Sequence, residues 1–194
     1  EIAKITATGV HCYAVMLDIK GAFLAPPPSK LVESLAWAGV APPVLLWLKE
    51  YLSCRSFSVL CEGKSSDSAP VISGGVQGSS LSCTAFLCYL APVLKGLQAF
   101  EPEVTTFVFA DDFKLVSANP VKLQIALDFL VSEFDRRQLS LSLHKCVAIR
   151  FLSPSRAAPP PPNGLPEILI HGTPLAYADE KGSTRDLGVL IDAR

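Results

Sequence analysis

The chain has 194 residues, of which 49% are hydrophobic and 18% are charged. That composition excludes a disordered chain and suffices for one domain with a sizeable core. The formal net charge is −1, which lacks the basic excess typical of proteins that bind nucleic acid. The six cysteines form no CxxC pair and stand at no zinc-ligand spacing from a histidine. We therefore expect reduced thiols, in or near the core of an intracellular protein.

The sequence predicts no membrane span and no leader. The most apolar uncharged run, residues 81–94, is short for a bilayer and rich in Ser, Cys and Thr. No signal peptide opens the chain. The chain begins without Met and ends at Arg194, two residues after an apolar run, so we expect an excerpt of a longer protein.

In chain order, hydrophobic periodicity predicts strands that alternate with helices. The predicted strands are residues 12–19, 56–61, 69–72, 104–110, 113–117 and 146–152. The predicted helices are residues 29–38, a segment that starts after Pro42-Pro43, residues 81–97 and residues 120–137. A closing hairpin is predicted from residues 168–170, a turn at Gly172 and residues 187–191. This order indicates an α+β fold in which a sheet packs on helices.

Three local signals predict how the helices begin, bend and pack. Ser29 is the predicted N-cap of the first helix. Pro92 is expected to kink the third helix or end it early. On the fourth helix, the predicted inward residues are Val121, Ile125 and Leu130.

Two adjacent carboxylates, Asp111 and Asp112, separate two apolar runs and predict a hairpin with an acidic tip. Like charges this close repel each other unless a cation or solvent offsets them, and a solvated Asp-Asp turn is the simpler alternative. Asp18 is a lone acid at the end of an apolar strand. If that strand neighbours the hairpin, three carboxylates converge at one end of the sheet. Mg²⁺ favours such oxygen ligands and keeps positions for water and substrate phosphates.

Five ordered segments resemble the motifs of reverse transcriptases. They are Asp18 with Ala22-Phe23, residues 74–79 (GGVQGS), residues 109–112 (FADD), residues 139–146 (LSLSLHKC) and residues 186–189 (DLGV). The segments SKLVESL, LLWLKEYLSCRSF and HGTPL resemble most the non-LTR (LINE-type) retrotransposon enzymes. The resemblance implies a polymerase palm, which is a ferredoxin-like antiparallel sheet packed on helices, with part of the fingers.

The resemblance also implies a role for each matching residue. Asp18, Asp111 and Asp112 would be catalytic and would hold two Mg²⁺ ions, with Mn²⁺ as a substitute; Asp18 and Asp111 would bridge both ions, and Asp112 would be a supporting acid. Lys145 would be a further catalytic residue that protonates or neutralises the departing pyrophosphate. The implied nucleotide-binding residues are Phe23, Gln77, Gly78 and Ala110, and the implied primer-binding residues are Leu187 and Gly188.

Two of these roles have a simpler alternative. Phe23 stands where a bulky side chain clashes with a ribose 2′-OH and so favours dNTPs; outside this context it would be an ordinary core residue. Lys145 alone would be a solvated surface lysine.

Two residues depart from the family pattern: Leu24 stands where the family usually has Asp, and Val76 where it usually has Pro. The second change loosens the loop that carries Gln77.

The resemblance divides the chain into three parts. Residues 1–152 would form the palm with part of the fingers, residues 153–166 a Pro-rich loop, and residues 167–194 a primer-grip-like hairpin at the palm–thumb boundary. The remaining fingers and the thumb would belong to a longer polyprotein. The implied partners are an RNA template, a DNA primer and dNTPs, without a membrane. The resemblance also implies nuclear action.

Three functions are left open by the sequence. The first is RNA-directed DNA polymerisation, a nucleotidyl transfer to a primer 3′-OH, with this chain inactive by itself. The second is a catalytically inert, truncated transposon remnant with at most nucleic-acid binding. The third is an unrelated Mg²⁺-dependent α/β domain such as a phospho-acceptor receiver, which the ordered Gln-Gly-Ser and Leu-Gly-Val segments disfavour.

Overall fold

The structure, a computed structural model, describes residues 1–75, 78–153 and 165–178, and the backbone of residues 184–186 and 189–191. The helices are α1 (Ile2–Ala7), α2 (Pro28–Trp37), α3 (Pro42–Ser53), α4 (Ser80–Phe100) and α5 (Pro120–Arg136). The strands are β1 (Cys12–Asp18), β2 (Ser56–Phe57), β3 (Leu60–Cys61), β4 (Lys64–Ser65), β5 (Ala69–Pro70), β6 (Thr105–Phe109), β7 (Asp112–Ser117), β8 (Val147–Phe151), β9 (Leu169–Ile170), β10 (Thr173–Pro174), β11 (Thr184–Asp186) and β12 (Val189–Ile191).

The chain divides into two compact units. The sheet unit comprises Glu1–Lys20, Val93–Arg136 and Ser140–Arg194. The helical unit comprises Gly21–Pro92 and Arg137–Leu139. The division between the two units falls within α4, between Pro92 and Val93, so each unit contains part of this helix.

The sheet unit is built on four antiparallel strands in the order β6-β7-β1-β8. In chain order these strands alternate with helices as β-α-β-β-α-β, with α4 before β6 and α5 before β8. This is the ferredoxin-like arrangement. The predicted α+β fold with an antiparallel sheet is therefore confirmed.

One face of this sheet packs on α5. Phe113 and Leu115 of β7 are buried, and the Phe113 ring meets the Phe134 ring of α5 edge to face, with centroids 5.2 Å apart. Successive strand residues point to opposite faces, so Tyr13, Val15 and Leu17, which pair with Ser117, Leu115 and Phe113, lie on this same face. This alternation fixes which residues of β1 and β7 are on the other face.

The second face carries a smaller apolar cluster. Its buried members are Cys12, Ala14, Val116, Val147, Ile149 and Ala178. Ile2 and Ile5 of α1 pack against this cluster, together with Met16 and Phe151. The side chains of Asp18 and Asp112 share this face because they continue the same alternation along β1 and β7.

Helix α5 buries a different set of residues from the predicted one. Leu130 is fully buried as predicted, but Val121 and Ile125 are 66% and 41% exposed, so those two predictions are wrong. The buried residues are Leu123, Ala126, Leu127, Leu130, Val131 and Phe134. They follow the 3.6-residue period of a helix, whereas Val121 and Ile125 lie outside that stripe.

Two predicted helix boundaries differ from the structure. Helix α2 begins at Pro28 with Pro27 as N-cap and no side-chain cap, so the predicted Ser29 cap is wrong. Proline suits the first helical position because an N–H group there would have no partner within the helix, so its absence costs no hydrogen bond. Helix α4 runs on through Pro92 to Phe100. Leu90 and Val93 are buried on either side of Pro92, and this burial offsets the hydrogen bond that proline cannot make.

Helix α4 is also the one helix, within the described ranges, that is long and apolar enough to cross a membrane by length and composition alone. The prediction of no span considered only the uncharged run of residues 81–94, whereas the helix continues past Lys95 to Phe100. Such a helix is weak evidence for a span, since the core helix of a folded domain meets the same criterion.

The hairpins are tighter than predicted. Strands β3 and β4 pair with each other and are joined by Glu62-Gly63, both with positive φ. Strands β2 and β5, which flank them in the chain, also pair with each other. At the C-terminal end, β9 pairs with β10 and β11 with β12, which gives two separate hairpins instead of one. The side chain of Gln124 both accepts from the Leu169 N–H at 2.8 Å and donates to the Leu169 carbonyl at 2.9 Å, so α5 holds β9 as a neighbouring strand would.

The cysteines divide between the two units by exposure. Cys12 and Cys146 are buried in the sheet unit, and burial raises the pKa of the Cys12 thiol to about 11. Cys54, Cys61 and Cys83 are exposed in the helical unit, so the prediction of core or near-core thiols is wrong for these three. All six cysteines are free thiols in the structure.

We expect Leu127→Ala on α5 to lower the free energy of unfolding by about 2–5 kcal/mol, because it leaves a cavity in a close-packed core. Val121→Ala on the same helix is the control and should change it by less than about 0.5 kcal/mol. Urea unfolding followed by circular dichroism measures both. Equal losses for the two variants would contradict the observed packing face of α5.

Candidate functional site

Asp18 and Asp112 lie directly opposite each other at one end of the four-stranded sheet. They are the last register pair between β1 and β7, and Asp112 also pairs with Phe109 across the β6–β7 hairpin. Directly opposed residues on antiparallel strands share a face, with Cβ atoms about 4.5–5.5 Å apart. The fold therefore places two carboxylates from distant parts of the sequence side by side.

The acidic hairpin turns one residue earlier than predicted. Strand β7 begins at Asp112, so the two-residue loop consists of Ala110 and Asp111. Ala110 has a φ of +54°, a left-handed conformation that is uncommon for a residue with a Cβ. Backbone in such a conformation costs of the order of 1–3 kcal/mol and occurs often at functional sites. Both Ala110 and Asp111 are half-buried.

Lys145 contacts Asp18 directly. Its Nζ lies 3.1 Å from Oδ1 and 3.3 Å from Oδ2 of Asp18. The Lys145 side chain is 56% exposed and that of Asp18 25% exposed, so water weakens the pair without abolishing it. A cation in contact with Asp18 offsets part of the repulsion between the opposed carboxylates.

Backbone hydrogen bonds hold the Lys145 segment against the end of β1. The Ser142 N–H donates to the Asp18 carbonyl at 2.9 Å, and the Lys20 N–H donates to the Ser140 carbonyl at 2.8 Å. A tight turn follows, in which the Lys145 N–H donates to the Ser142 carbonyl at 2.7 Å. The ammonium is thus aimed at Asp18 by main-chain contacts. The adjacent Cys146 thiol is buried, and this burial is the main cause that raises its pKa.

The carboxylates fit a hard divalent cation by their chemistry. Within the described residues, no three side chains of His, Cys, Asp or Glu lie close enough together to hold a metal ion. Two facing carboxylates, with Asp111 on the adjoining loop, suit an ion such as Mg²⁺ that takes only one or two carboxylates and completes its shell with water and substrate phosphates. Asp18, Asp111 and Asp112 are the residues that would hold it.

An apolar groove lies along the same face of the sheet and reaches Asp112. It has a volume of about 380 Å³. Its lining residues are Ile2, Ala14, Met16, Phe107, Val108, Phe109, Asp112, Lys114, Val116 and Phe151. Phe107 and Phe109 are exposed, so the groove opens toward solvent on the side of the edge strand β6. Sequence reasoning missed Phe107 and Lys114, although Lys114 is two residues after Asp112 on β7 and Phe107 pairs with Lys114 across the hairpin.

In the helical unit, Phe23 lies against the glycine-rich loop. The Gly75 N–H donates to the Phe23 carbonyl at 2.7 Å, and the Gly74 N–H donates to the Pro26 carbonyl at 2.9 Å. The Phe23 ring packs on the buried Phe86 ring of α4, with centroids 5.3 Å apart. Phe23 is therefore fixed both by its main chain and by its ring.

Gly74 must be a glycine for two physical reasons. Its φ is +79°, and a Cβ at this position would lie 2.5 Å from the Cα of Leu24. Close approach of two main chains requires the smallest residue. Leu24, the residue that departs from the family pattern, is thus part of this contact through its backbone, while its side chain is half exposed.

The remaining predicted site residues are only partly described. Gly78 is exposed, with a φ of +85° and open space around its Cα. Gln77, Leu187 and Gly188 lie outside the described residues, as does most of the Pro-rich loop. The roles assigned to all of these residues stay predictions, as does the division of the chain into three parts.

Comparisons with known proteins agree with this fold. The family model described as reverse transcriptase (RNA-dependent DNA polymerase) matches residues 2–189. A comparison with curated protein sequences gave no match.

Several solved telomerase structures are similar to the chain. Apo telomerase from Candida tropicalis, truncated from the C-terminal domain, has a TM-score of 0.62 at 16% identity over 95% of this chain and 34% of that one. Telomerase from Candida tropicalis in complex with a TWJ fragment of telomeric RNA has a TM-score of 0.64 at 14% identity, over 95% and 29%. Telomerase from Candida albicans, in complex with the same kind of fragment, gives 0.59 at 13% identity, over 94% and 31%. The chain spans about a third of their length, and likeness at these identities concerns the fold.

We expect Gly74→Ala to destabilise the protein by about 2–4 kcal/mol, because left-handed backbone costs a residue with a Cβ about 1 kcal/mol and the clash with Leu24 adds to that. Gly63→Ala is the matched control. It has a φ of +75° but open space around its Cα, and should cost only about 1 kcal/mol. Urea unfolding of both variants separates the steric cost from the conformational one, and equal losses would contradict the close approach.

We expect Asp18→Asn and Lys145→Met to be coupled in a double-mutant cycle by about 1 kcal/mol at low salt, because the pair is partly shielded from water. In 1 M NaCl the coupling should fall, because the Debye length is then only about 3 Å and the salt screens the attraction between the two charges. Replacing Lys145→Met by Lys20→Met in the cycle gives the control, because Lys20 is exposed at the same sheet end. Additive effects for Asp18 and Lys145 would show that the ion pair does not form.

Proposed function

The chain belongs to the reverse transcriptase family, and from that premise we propose that it is the palm portion of an RNA-directed DNA polymerase. The observation that carries the proposal is the pairing of Asp18 with Asp112 across β1 and β7, with Asp111 in the adjoining loop. A transferase that extends a primer needs carboxylates at one point to handle phosphates through divalent cations. The proposed reaction is attack of a primer 3′-OH on the α-phosphate of a dNTP, which releases pyrophosphate.

Each site residue has a distinct proposed task. Asp18 and Asp111, with Asp112 as a supporting acid, would hold the divalent cations, which we propose to be two Mg²⁺ ions. When bound, the two ions would supply activation of the attacking oxygen and stabilisation of the leaving one. Lys145 keeps its ammonium at Asp18 in the free protein and supplies positive charge or a proton to the pyrophosphate during turnover. Ala110 presents only a methyl group at the hairpin tip, which leaves room for a primer terminus.

The helical unit is proposed to bind and select the nucleotide. Phe23 would meet the sugar and exclude a ribose 2′-OH by steric contact. The glycine-rich loop, which includes Gln77 and Gly78, would approach the nucleotide with its backbone. The fixed position of Phe23, bonded to Gly75 and packed on Phe86, supports a selective role because discrimination by repulsion requires a side chain that does not yield.

The proposed substrates are an RNA template, a DNA primer and dNTPs. The net charge of −1 is low for a protein that binds this much phosphate, so we propose that basic fingers and a thumb in the parent polyprotein complete the grip. Two of the telomerases with a similar fold were solved in complex with an RNA fragment, which is consistent with an RNA-binding role for such a palm.

A non-LTR, LINE-type origin is the proposed lineage. Its support is the likeness of the segments SKLVESL, LLWLKEYLSCRSF and HGTPL to those retrotransposon enzymes. That lineage would make the protein intracellular and would place its action in the nucleus, at a chromosomal target.

A catalytically inert remnant is the second candidate. Leu24 and Val76 replace residues that the family usually keeps, and loss of the proline before Gln77 loosens a loop whose position matters. An error of about 1 Å in such a position can cost on the order of 100-fold in rate. The intact Asp18, Asp111 and Asp112 favour the active alternative.

We expect the parent protein, with fingers and thumb, to extend a DNA primer on an RNA template, and the 194-residue chain alone to extend it little. EDTA should abolish extension, and Asp111→Asn should reduce it by roughly 100-fold or more, because metal-held charge contributes several kcal/mol to such transition states. Primer extension on denaturing gels measures each effect.

The matched control is Asp67→Asn, which makes the same chemical change at an exposed aspartate in the turn before β5 and should leave extension unchanged. A parent protein that is folded but inactive with both Mg²⁺ and Mn²⁺ would establish the remnant. Activity that persists in Asp111→Asn would contradict the assigned site.

A further inference from the structure

Arg55 joins the end of α3 to the glycine-rich loop. The residue is half-buried between α3 and β2. Its Nη2 donates to the Gly74 carbonyl at 2.6 Å, and its Nε donates to the Leu52 carbonyl at 3.2 Å. Its own carbonyl accepts from the Val71 N–H at 2.9 Å. Arg55 therefore bonds to the helix before it and, through residues 71 and 74, to the segment that leads into the loop.

The peptide groups around Gly74 are held from two sides. Arg55 binds the Gly74 carbonyl, while the Gly74 N–H donates to Pro26. The next N–H, that of Gly75, donates to the Phe23 carbonyl. The absence of a Cβ lets Gly74 lie against the main chain of Leu24. A continuous series of hydrogen bonds thus runs from the Arg55 guanidinium through the two glycines to the main chain of Phe23.

Arginine is well suited to this position. Its planar guanidinium has several donors in fixed directions, so two carbonyls can be bound at once, and charged donors form hydrogen bonds about twice as strong as neutral ones. A lysine ammonium has no such fixed fork. A neutral side chain of similar length would leave the Gly74 carbonyl without this donor.

We propose that Arg55 is a positioning residue for nucleotide selection. It holds the glycine-rich loop against the Phe23 main chain and thereby sets the place at which the Phe23 ring stands against the nucleotide sugar. Arg55 itself touches no substrate. This inference rests on the proposed function, since a role in selection exists only if a nucleotide binds beside Phe23.

The kinetic test compares Arg55→Met with the unchanged parent protein in primer extension. We expect the KM for dNTPs to rise about 10- to 100-fold, with a smaller change in kcat, because a displaced loop weakens binding of the nucleotide. Discrimination between dNTPs and rNTPs should fall by about tenfold. Arg55→Lys should restore part of both, since an ammonium can donate to one of the two carbonyls.

The control variant is Lys49→Met on α3, which removes one positive charge at an exposed position and should change neither quantity. A purely structural role predicts a different outcome, in which Arg55→Met lowers the melting temperature and the active fraction without altering the KM or the discrimination ratio. That outcome would overturn the proposal.

Hydrogen exchange tests the contact independently of activity. In the parent protein, we expect Arg55→Met to speed exchange of the Gly74 and Gly75 amides about tenfold, because both donate within the held loop, and to leave the β1 and β7 amides unchanged. Unchanged exchange at Gly74 and Gly75 overturns the proposal even in an active enzyme. A parent protein without polymerase activity refutes the proposed function and the selective role together, and the exchange result then decides whether Arg55 holds the loop.

Discussion

The register between β1 and β7 is the constraint on which the proposed site depends. It places Asp18 opposite Asp112, and it puts Phe113 and Leu115 on the face that packs against α5. Because strand residues alternate between faces, a slip of one residue in either strand would turn the carboxylate of that strand to the face of α5 and its core residues to the other face. The same apolar packing that stabilises the sheet therefore holds the two acids together. The alternation of side chains along β1 and β7 therefore determines both which residues form the core and where the two carboxylates lie.

The helical unit meets a different requirement, which is the close approach of two loops. Gly74 and Gly75 satisfy their N–H groups on the loop that follows Phe23, and Arg55 satisfies the Gly74 carbonyl from the other side. Backbone polar groups in a half-buried loop need such partners. The described part of this loop is thus ordered by main-chain bonds and one guanidinium instead of by a regular strand, which explains why a single residue to which the sequence assigned no role can matter to it.

The sequence predicted the elements well where periodicity and motif agreed, as for β1, α5 and β8. It failed where tertiary packing decided between similar local options. Val121 and Ile125 are as apolar as the buried residues of α5, but they lie outside the stripe of α5 that packs against the sheet. Pro92 is a helix breaker by itself but is tolerated between two buried turns. Arg55 falls within the segment LLWLKEYLSCRSF, but the sequence assigned it no role, because its partner is a carbonyl nineteen residues away.

The distribution of the thiols has a practical consequence. Thiolates, not thiols, react with electrophiles, so the buried Cys12, whose pKa is about 11, and the buried Cys146 should be inert at neutral pH. The exposed Cys54, Cys61 and Cys83 all belong to the helical unit. A maleimide dye or spin label would therefore modify the unit proposed to receive the nucleotide and spare the unit that carries the carboxylates. The unmodified protein already contains attachment points for following nucleotide binding by spectroscopy.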